Sequence, residues 1–294
     1  MQKILFVVNP VSGGKDKGKI LETIEENLDR SRFECGFVQT GYAGHGVEIA
    51  RGCDADVVVA VGGDGTVSEV ARGIAGTGKA LGIIPCGSGD GLALHLGISR
   101  DPRKAVLQLN GSEKARMDYG TVDGKDFFCT TGVGMDAQVA WEFSKAGKRG
   151  FRTYVSKTLS VWRHYEPCRY SLVIDGVRQD VTAAFITVAN VNQWGNNAVI
   201  APEASVADGL FDIVILHPFG IKDIPGLASS LFSRRFSRNR NVTVLRGSRV
   251  ELHRGGTAPA HIDGDSLEMG ADITVEIHPS AIEVLVPSGR AKQI

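Results

Sequence analysis

Apolar runs and helical periods alternate through roughly the first 115 residues. Ile4–Val8 is wholly apolar and ends at Asn9-Pro10, a turn signal. Ile20, Leu21, Ile24 and Leu28 then recur at helical spacing. Phe33–Thr40 reads as a strand, and Val47–Arg51 as part of a short helix. Val57–Val61 is an apolar strand running into Gly62-Gly63-Asp64-Gly65-Thr66. Thr66 is placed to cap a helix carrying Val67, Val70, Ala71 and Ile74. Leu81–Ile84 is a further buried strand, followed by Pro85-Cys86-Gly87-Ser88-Gly89, and Asp101-Pro102 opens another helix. Strands alternating with helices predict an α/β N-terminal domain: a parallel sheet with helices on both faces.

Beyond about residue 117 the texture changes to short β-rich runs. They are Asp126–Thr131, Tyr170–Ile174, Ala184–Ala189, Phe211–Leu216, Val242–Leu245, Val250–His253, Ile273–Ile277 and Ile282–Val286. Turn pairs such as Asp175-Gly176 and Asp263-Gly264 punctuate them. Helical stretches interrupt near 137–163 and 221–233. A β-rich, sandwich-like C-terminal domain is expected.

Composition adds one unusual number. Glycine supplies 37 of 294 residues, about 13% against a usual ~7%, and its clusters sit where the N-terminal strands end. The 33 basic and 33 acidic side chains cancel, which argues against a surface that grips nucleic acid throughout. Five cysteines (35, 53, 86, 129 and 168) form no CxxC pair, so neither a disulfide framework nor a zinc site is suggested. The apolar start is too short for a signal-peptide core, and no run approaches the ~18 residues that span a bilayer. A cytoplasmic protein is expected.

In an open α/β sheet, ligands bind where the strands end. Glycines there let backbone N–H groups approach an anion, and a helix N-terminus adds partial positive charge. Gly62–Thr66 fits a phosphate loop; Asp64 beside phosphate implies a Mg²⁺-linked role. Asn9-Pro10-Val11-Ser12-Gly13-Gly14 also joins a strand to a helix, and Lys15 could reach a nucleotide from it. Gly13–Lys19 matches GxxxxGK, but Ile20 follows where a P-loop needs Ser or Thr. Gly87-Ser88-Gly89-Asp90-Gly91 is no nucleophile elbow, because Cys86 stands where that motif has glycine. Asp263-Gly264-Asp265 alone reads as a hairpin turn.

Taken in order, these motifs resemble the diacylglycerol kinase catalytic-domain family, which includes sphingosine kinases and bacterial lipid kinases. Asn9-Pro10…Ser12-Gly13 is similar to its first nucleotide motif, and Thr40 falls where the family has a nucleotide-contacting threonine. Gly62-Gly63-Asp64-Gly65-Thr66 is similar to its GGDGT signature, shared alone with NAD kinases and phosphofructokinases. Pro85–Gly89 resembles PxGT/SxN, with Ser88 touching the nucleotide. Gly132-Val133-Gly134-Met135-Asp136-Ala137 resembles GxGxDA, and Pro202…Asp208-Gly209-Leu210-Phe211-Asp212 resembles PxAxxxDGxxD. Asp263-Gly264-Asp265 falls at DGE. Asp90-Gly91 stands where the family has Asn-Asp, Asp265 replaces Glu, and Cys129 stands where Asn is frequent.

The resemblance implies a two-domain kinase holding ATP and Mg²⁺ between a nucleotide domain, 1–117 with 286–294 returning to it, and a lipid-substrate domain, 118–285. It implies Asp265 as proton acceptor, with Asp263 as the alternative and Asp64 in the same acidic set. It implies a magnesium site on the carbonyls of Ser205 and Leu210 and the carboxylate of Asp208, with Asp118 in that charge network. The acceptor would be a hydroxyl of a membrane lipid, diacylglycerol-like or sphingoid. A NAD-kinase-like enzyme and a catalytically silent lipid-binding regulator are the rivals.

Two acid-free basic stretches suggest contact with an anionic membrane surface. One holds Lys145, Lys148, Arg149, Arg152, Lys157 and Arg163 among Phe151, Tyr154, Val155, Leu159 and Trp162. The other holds Arg234, Arg235, Arg238, Arg240, Arg246 and Arg249 with Leu227, Leu231, Phe232 and Phe236. A peripheral membrane association is expected and no nucleic acid; a homodimer stays open.

Overall fold

The computed structural model describes residues 1–14, 16–145 and 151–294, with only the backbone for 151–155. Lys15, Lys148 and Arg149 lie outside the described residues. The chain divides into two compact units, Met1–Asp118 with Pro279–Ile294, and Tyr119–His278.

The first unit alternates as the hydrophobic pattern requires: β1 (Gln2–Val8), α1 (Lys17–Asn27), β2 (Phe33–Gln39), α2 (His45–Gly52), β3 (Val57–Gly62), α3 (Asp64–Ile74), β4 (Ala80–Pro85), α4 (Gly91–His95) and α5 (Pro102–Asn110). The strands pair in parallel in the order β2-β1-β3-β4. Every residue of β3 and β4 is buried, so both sheet faces are covered, as continuous Val/Ile runs demand. The pairing puts the strand ends level: Val8 lies opposite Gln39 and Val61, and Gly62 opposite Pro85. Asp101 caps α5 by accepting the Lys104 N–H, with Pro102 at the first helical position. Thr66 does not cap α3; that helix starts two residues earlier, at Asp64, with Gly63 at the cap.

β5 (Glu113–Val122) leads into the second unit, which holds β6 (Lys125–Phe127), β7 (Thr130–Gly134), α6 (Met135–Ser144), α7 (Phe151–Trp162), β8 (Cys168–Ile174), β9 (Val177–Ala183), β10 (Phe185–Ala189), β11 (Phe211–Leu216), α8 (Ile224–Phe232), β12 (Val242–Gly247), β13 (Arg249–His253), β14 (Ala258–Ile262) and β15 (Asp265–Met269). β16 (Asp272–Val286) closes the chain's regular structure. One antiparallel sheet runs β12-β11-β10-β7-β14-β15. It shares a core with β8, β13 and the first half of β16: Ile186, Val188, Phe211 and Ile213 meet Leu172, Val250 and Ile273. That is a sandwich.

Two runs expected as separate strands, Ile273–Ile277 and Ile282–Val286, are one strand. The return to the first unit therefore falls at Pro279, seven residues before the expected 286. The bend is local. Ser280 has φ 52°, and the buried Asp118 carboxylate accepts its N–H at 2.6 Å. Asp118 thus pins the turn-back of the chain. The expected run Asp126–Thr131 is instead β6 and β7 with a break at Phe128-Cys129.

Candidate functional site

In the first unit, three glycine loops crowd together at the C-terminal edge of the parallel sheet. The Asn9 N–H donates to the Val61 carbonyl (3.1 Å), and the Asn9 Nδ2 donates to Thr66 Oγ1 (3.1 Å). The Asn9 Oδ1 accepts the Val11 N–H, which curls the loop towards Ser12. Thr40, buried, hangs beside it through its N–H on the Val8 carbonyl. Gly13 has φ +66°, and a Cβ there would lie 1.5 Å from the Cys86 carbonyl oxygen. A Cβ on Gly87 would lie 2.7 Å from the Gly63 Cα. The three loops therefore touch through bare backbone, and a side chain at these positions would drive them apart. Pro10, Gly65 and Ser88 share this edge, Ser88 exposed at its loop tip. α3 aims its N-terminus, with its partial positive charge, from the middle loop.

Asp64 ties two of the loops together. Its Oδ2 accepts the Asp90 N–H (2.8 Å) and its Oδ1 the Gly91 N–H (2.7 Å). The carboxylate fastens the middle loop to the start of α4. Asp90 is buried at φ 54°. Its Oδ1 accepts the Gly87 N–H, and its Oδ2 meets Arg100 Nε at 3.1 Å. Arg100 also donates from Nη2 to the carbonyls of Gly87 and Ser88. Asp90 and Arg100 thus shape the Ser88 loop. Sequence reasoning missed Arg100, because no local pattern marks an arginine that folds back ten residues.

In the second unit, Asp263 and Gly264 take φ 50° and 87°, the positive pair of a two-residue hairpin turn. The Asp263 carboxylate accepts the N–H groups of Phe128 (3.0 Å), Cys129 (2.7 Å) and Thr130 (3.1 Å). These bonds tie the hairpin turn to the β6–β7 break. Asp265 opens β15 opposite Ile262. Its side chain is exposed and makes no hydrogen bond or ion pair among the described residues. The geometry thus separates two aspartates that spacing could not. At the start of α6, the buried Asp136 accepts the hydroxyl of Thr187 on β10 (2.6 Å) and meets Nε2 of His261 on β14 at 3.1 Å. Gly132 makes room for that pair.

Asp208 accepts the Leu210 N–H with Oδ1 (3.0 Å), and Arg246 ion-pairs with its Oδ2. The Ser205 hydroxyl accepts the Ala207 N–H. Arg246 Nε also lies 3.5 Å from Asp212, whose Oδ2 is buried without a hydrogen-bond partner. Among the described residues, no three acidic, histidine or cysteine side chains group as metal ligands. The expected site rests instead on two carbonyls and one carboxylate. That hard-oxygen set suits Mg²⁺, with the Asp208 carboxylate shared with Arg246.

Burial pushes the Asp212 carboxyl up from 3.8 to about 6; Arg246 opposes this, and Asp208 and Glu203 add to it. An acid whose folded value is raised binds its proton more tightly when folded. Its protonated form favours folding, and stability falls as pH rises from about 4 to 6. Asp212→Asn, always neutral, is expected to gain about 2–3 kcal/mol over the parent across that window and keep it above. Thermal unfolding from pH 4 to 8 checks this; a pH-independent difference would refute it.

A cavity of about 460 Å³ opens in the second unit, lined by Arg169, Ser171, Thr182 and Arg254 among others. None of the motif residues lines it.

Comparison with known proteins covers both units. Residues 3–122 match the diacylglycerol kinase catalytic domain, and residues 129–286 match the YegS C-terminal NAD kinase beta sandwich-like domain. A diacylglycerol kinase of Bacillus subtilis (strain 168) is 24% identical over 303 aligned positions, covering 100% of this chain and 99% of the relative. A probable YegS-like lipid kinase of Chromohalobacter salexigens is 28% identical over 263, covering 86% and 84%. The crystal structure of a putative diacylglycerol kinase from Bacillus anthracis str. Sterne superposes with a TM-score of 0.80 at 19% identity, over 98% of this chain and 96% of that one.

Proposed function

The chain belongs to the diacylglycerol kinase catalytic-domain family with a YegS-type C-terminal sandwich, and from that premise we propose that it transfers the γ-phosphoryl group of ATP to a hydroxyl of a membrane lipid, diacylglycerol-like or sphingoid. The observation that supports this best is the backbone contact of three glycine loops at the strand-end edge of a parallel sheet. Such an edge is suited to a nucleotide's phosphates. Asn9, Pro10, Ser12 and Gly13 form one wall and Gly62–Thr66 the next. Thr40 and Ser88 stand on either side.

Phosphoryl transfer needs positioning and charge neutralisation more than covalent chemistry. Asp64 and Asp90 hold the loops in place against the phosphates' repulsion through the amides and the guanidinium they bind. Asp265, exposed and unengaged, is suited to accept the proton of the attacking hydroxyl, which is weakly acidic. Asp263 positions Asp265 through its three amide bonds. Mg²⁺, held through Asp208 and the carbonyls of Ser205 and Leu210, would supply further neutralisation of negative charge when bound. The enzyme would work in the cytoplasm at a membrane surface. No helix among the described residues is long and apolar enough to cross a membrane.

The test is incubation of the purified protein with γ-labelled ATP and a mixed lipid extract, with NAD in a parallel reaction, followed by mass spectrometry of products. A phosphorylated lipid, formed only with both ATP and Mg²⁺, is expected. Phosphorylated NAD instead, or no product from any acceptor, would overturn the proposal.

A further inference from the structure

α8 carries apolar residues on two faces. Leu227 and Leu231 turn inwards, with Leu227 8% exposed in a core shared with Val161, Phe185 and Phe236, and Ile224 is half-buried. Pro225, Ala228 and Phe232, also at helical spacing, are exposed. Phe232 keeps half of its surface in solvent, and Ile221, one turn earlier in the 3-10 turn Ile221–Asp223, keeps 69%. A helix face that stays apolar in water is unusual for an ordinary surface helix. The segment that follows is cationic: Arg234, Arg235, Arg238 and Arg240 are all exposed, and Lys222 stands beside Ile221. Against these five cations the stretch 221–240 has one acid, Asp223, already paired with Arg240 at 2.5 Å.

Exposed apolar side chains bordered by Arg234, Arg235 and Arg238, which make no ion pair among the described residues, complement a surface that offers phosphates above hydrocarbon. We infer that the outer face of α8, with Ile221 and the arginines of 234–238, is the surface by which this protein docks on an anionic lipid bilayer. The inference rests on the lipid-kinase reading for its purpose, but on its own residues for its chemistry. A nucleic acid would use the arginines and leave Ile221 and Phe232 without a role.

The test uses the full chain and sedimentation with vesicles of phosphatidylcholine alone or with phosphatidylglycerol. The parent should bind the anionic vesicles and lose roughly tenfold or more on raising salt from 0.1 to 0.5 M. Ile221→Ser with Phe232→Ser should weaken binding at least about tenfold. Arg234→Glu with Arg235→Glu should do the same on anionic vesicles only. Hydrogen exchange of the parent reads the same surface without substitution: residues 221–240 should gain protection when vesicles are added. Unchanged binding by both variants, no protection at 221–240, or equal displacement by an oligonucleotide would overturn the inference. Turnover of a short-chain, water-dispersed lipid should stay within about twofold in both variants, because docking and chemistry are separate. A parent that docks through this face yet phosphorylates no lipid would leave the surface standing and remove the kinase reading; the converse result would do the opposite.

Discussion

Gly13→Ala is expected to lower nucleotide affinity at least about a hundredfold, or about 2.7 kcal/mol, while Gly14→Ala stays within a few-fold of the parent. The two glycines are neighbours in one loop, with φ +66° and +60°. Both would charge alanine the roughly 1 kcal/mol of a left-handed backbone. They differ in what the new methyl meets. At Gly14 nothing lies within 4 Å. At Gly13 it would fall 1.5 Å from the Cys86 oxygen and 2.6 Å from the Cys86 carbonyl carbon. That obstacle is backbone and cannot swing aside. Cys86 is tied by its N–H to the Gly62 carbonyl at 2.7 Å, just beyond the wholly buried β4. The only relief is to part the first loop from the third, which separates Asn9 and Ser12 from Ser88. Overpacking of this kind also costs stability, about 1–3 kcal/mol. Titration calorimetry with ATP, alongside thermal unfolding, reads both quantities. Equal affinities for the two variants would show that the loops do not act together on the nucleotide.

The first unit was legible because its signals are local. Val57–Val61 and Leu81–Ile84 are apolar without interruption, and such runs have few readings other than a doubly covered strand. The glycines that follow them mark the strand ends by composition alone. The missed strands explain themselves in the same terms. β9 is Val-Arg-Gln-Asp-Val-Thr-Ala at the margin of its sheet, largely exposed, so its apolar positions are too few to show. β14 and β15 flank the Asp263-Gly264 turn with Pro259, His261 and Glu268 among their residues, and only pairing with β7 makes a sheet of them. What the sequence does not show at the site has one cause. Thr66 looked like a cap because its type and place allow it. Whether its hydroxyl instead faces Asn9 depends on β1 and β3 lying side by side. The motifs mark Asp64 and Asp263 as acidic site residues, but do not show that both also bind amides distant in sequence. The raised Asp212 carboxyl is a product of burial and of the neighbouring carboxylates of Asp208 and Glu203, against the opposing charge of Arg246. Long-range partners decide what a carboxylate is free to do, and one sequence does not list them.

That distinction gives Asp265→Asn its expected outcome. The substitution keeps the size of the side chain and removes its basicity. Asp265 is exposed and unengaged among the described residues, so folding stability should be unchanged within about 0.5 kcal/mol. If the carboxylate accepts the proton of the lipid hydroxyl, kcat should fall about 10²–10⁴-fold, with the KM for ATP nearly constant. Asp265→Glu should keep a substantial part of the rate, since it restores the base one methylene further out. Asp263→Ala should look different. It strips the acceptor from the amides of Phe128, Cys129 and Thr130, and each amide left unsatisfied costs about 1–3 kcal/mol. Its melting temperature should drop with its activity, because the hairpin that carries Asp265 loses its tether. Activity lost without stability at 265, and lost together with it at 263, would separate a group that takes the proton from one that holds it in place. Full turnover by Asp265→Asn would remove Asp265 from the chemistry. A loss at Asp263→Ala with the fold intact would then transfer the role to the neighbour whose oxygens the structure shows already occupied.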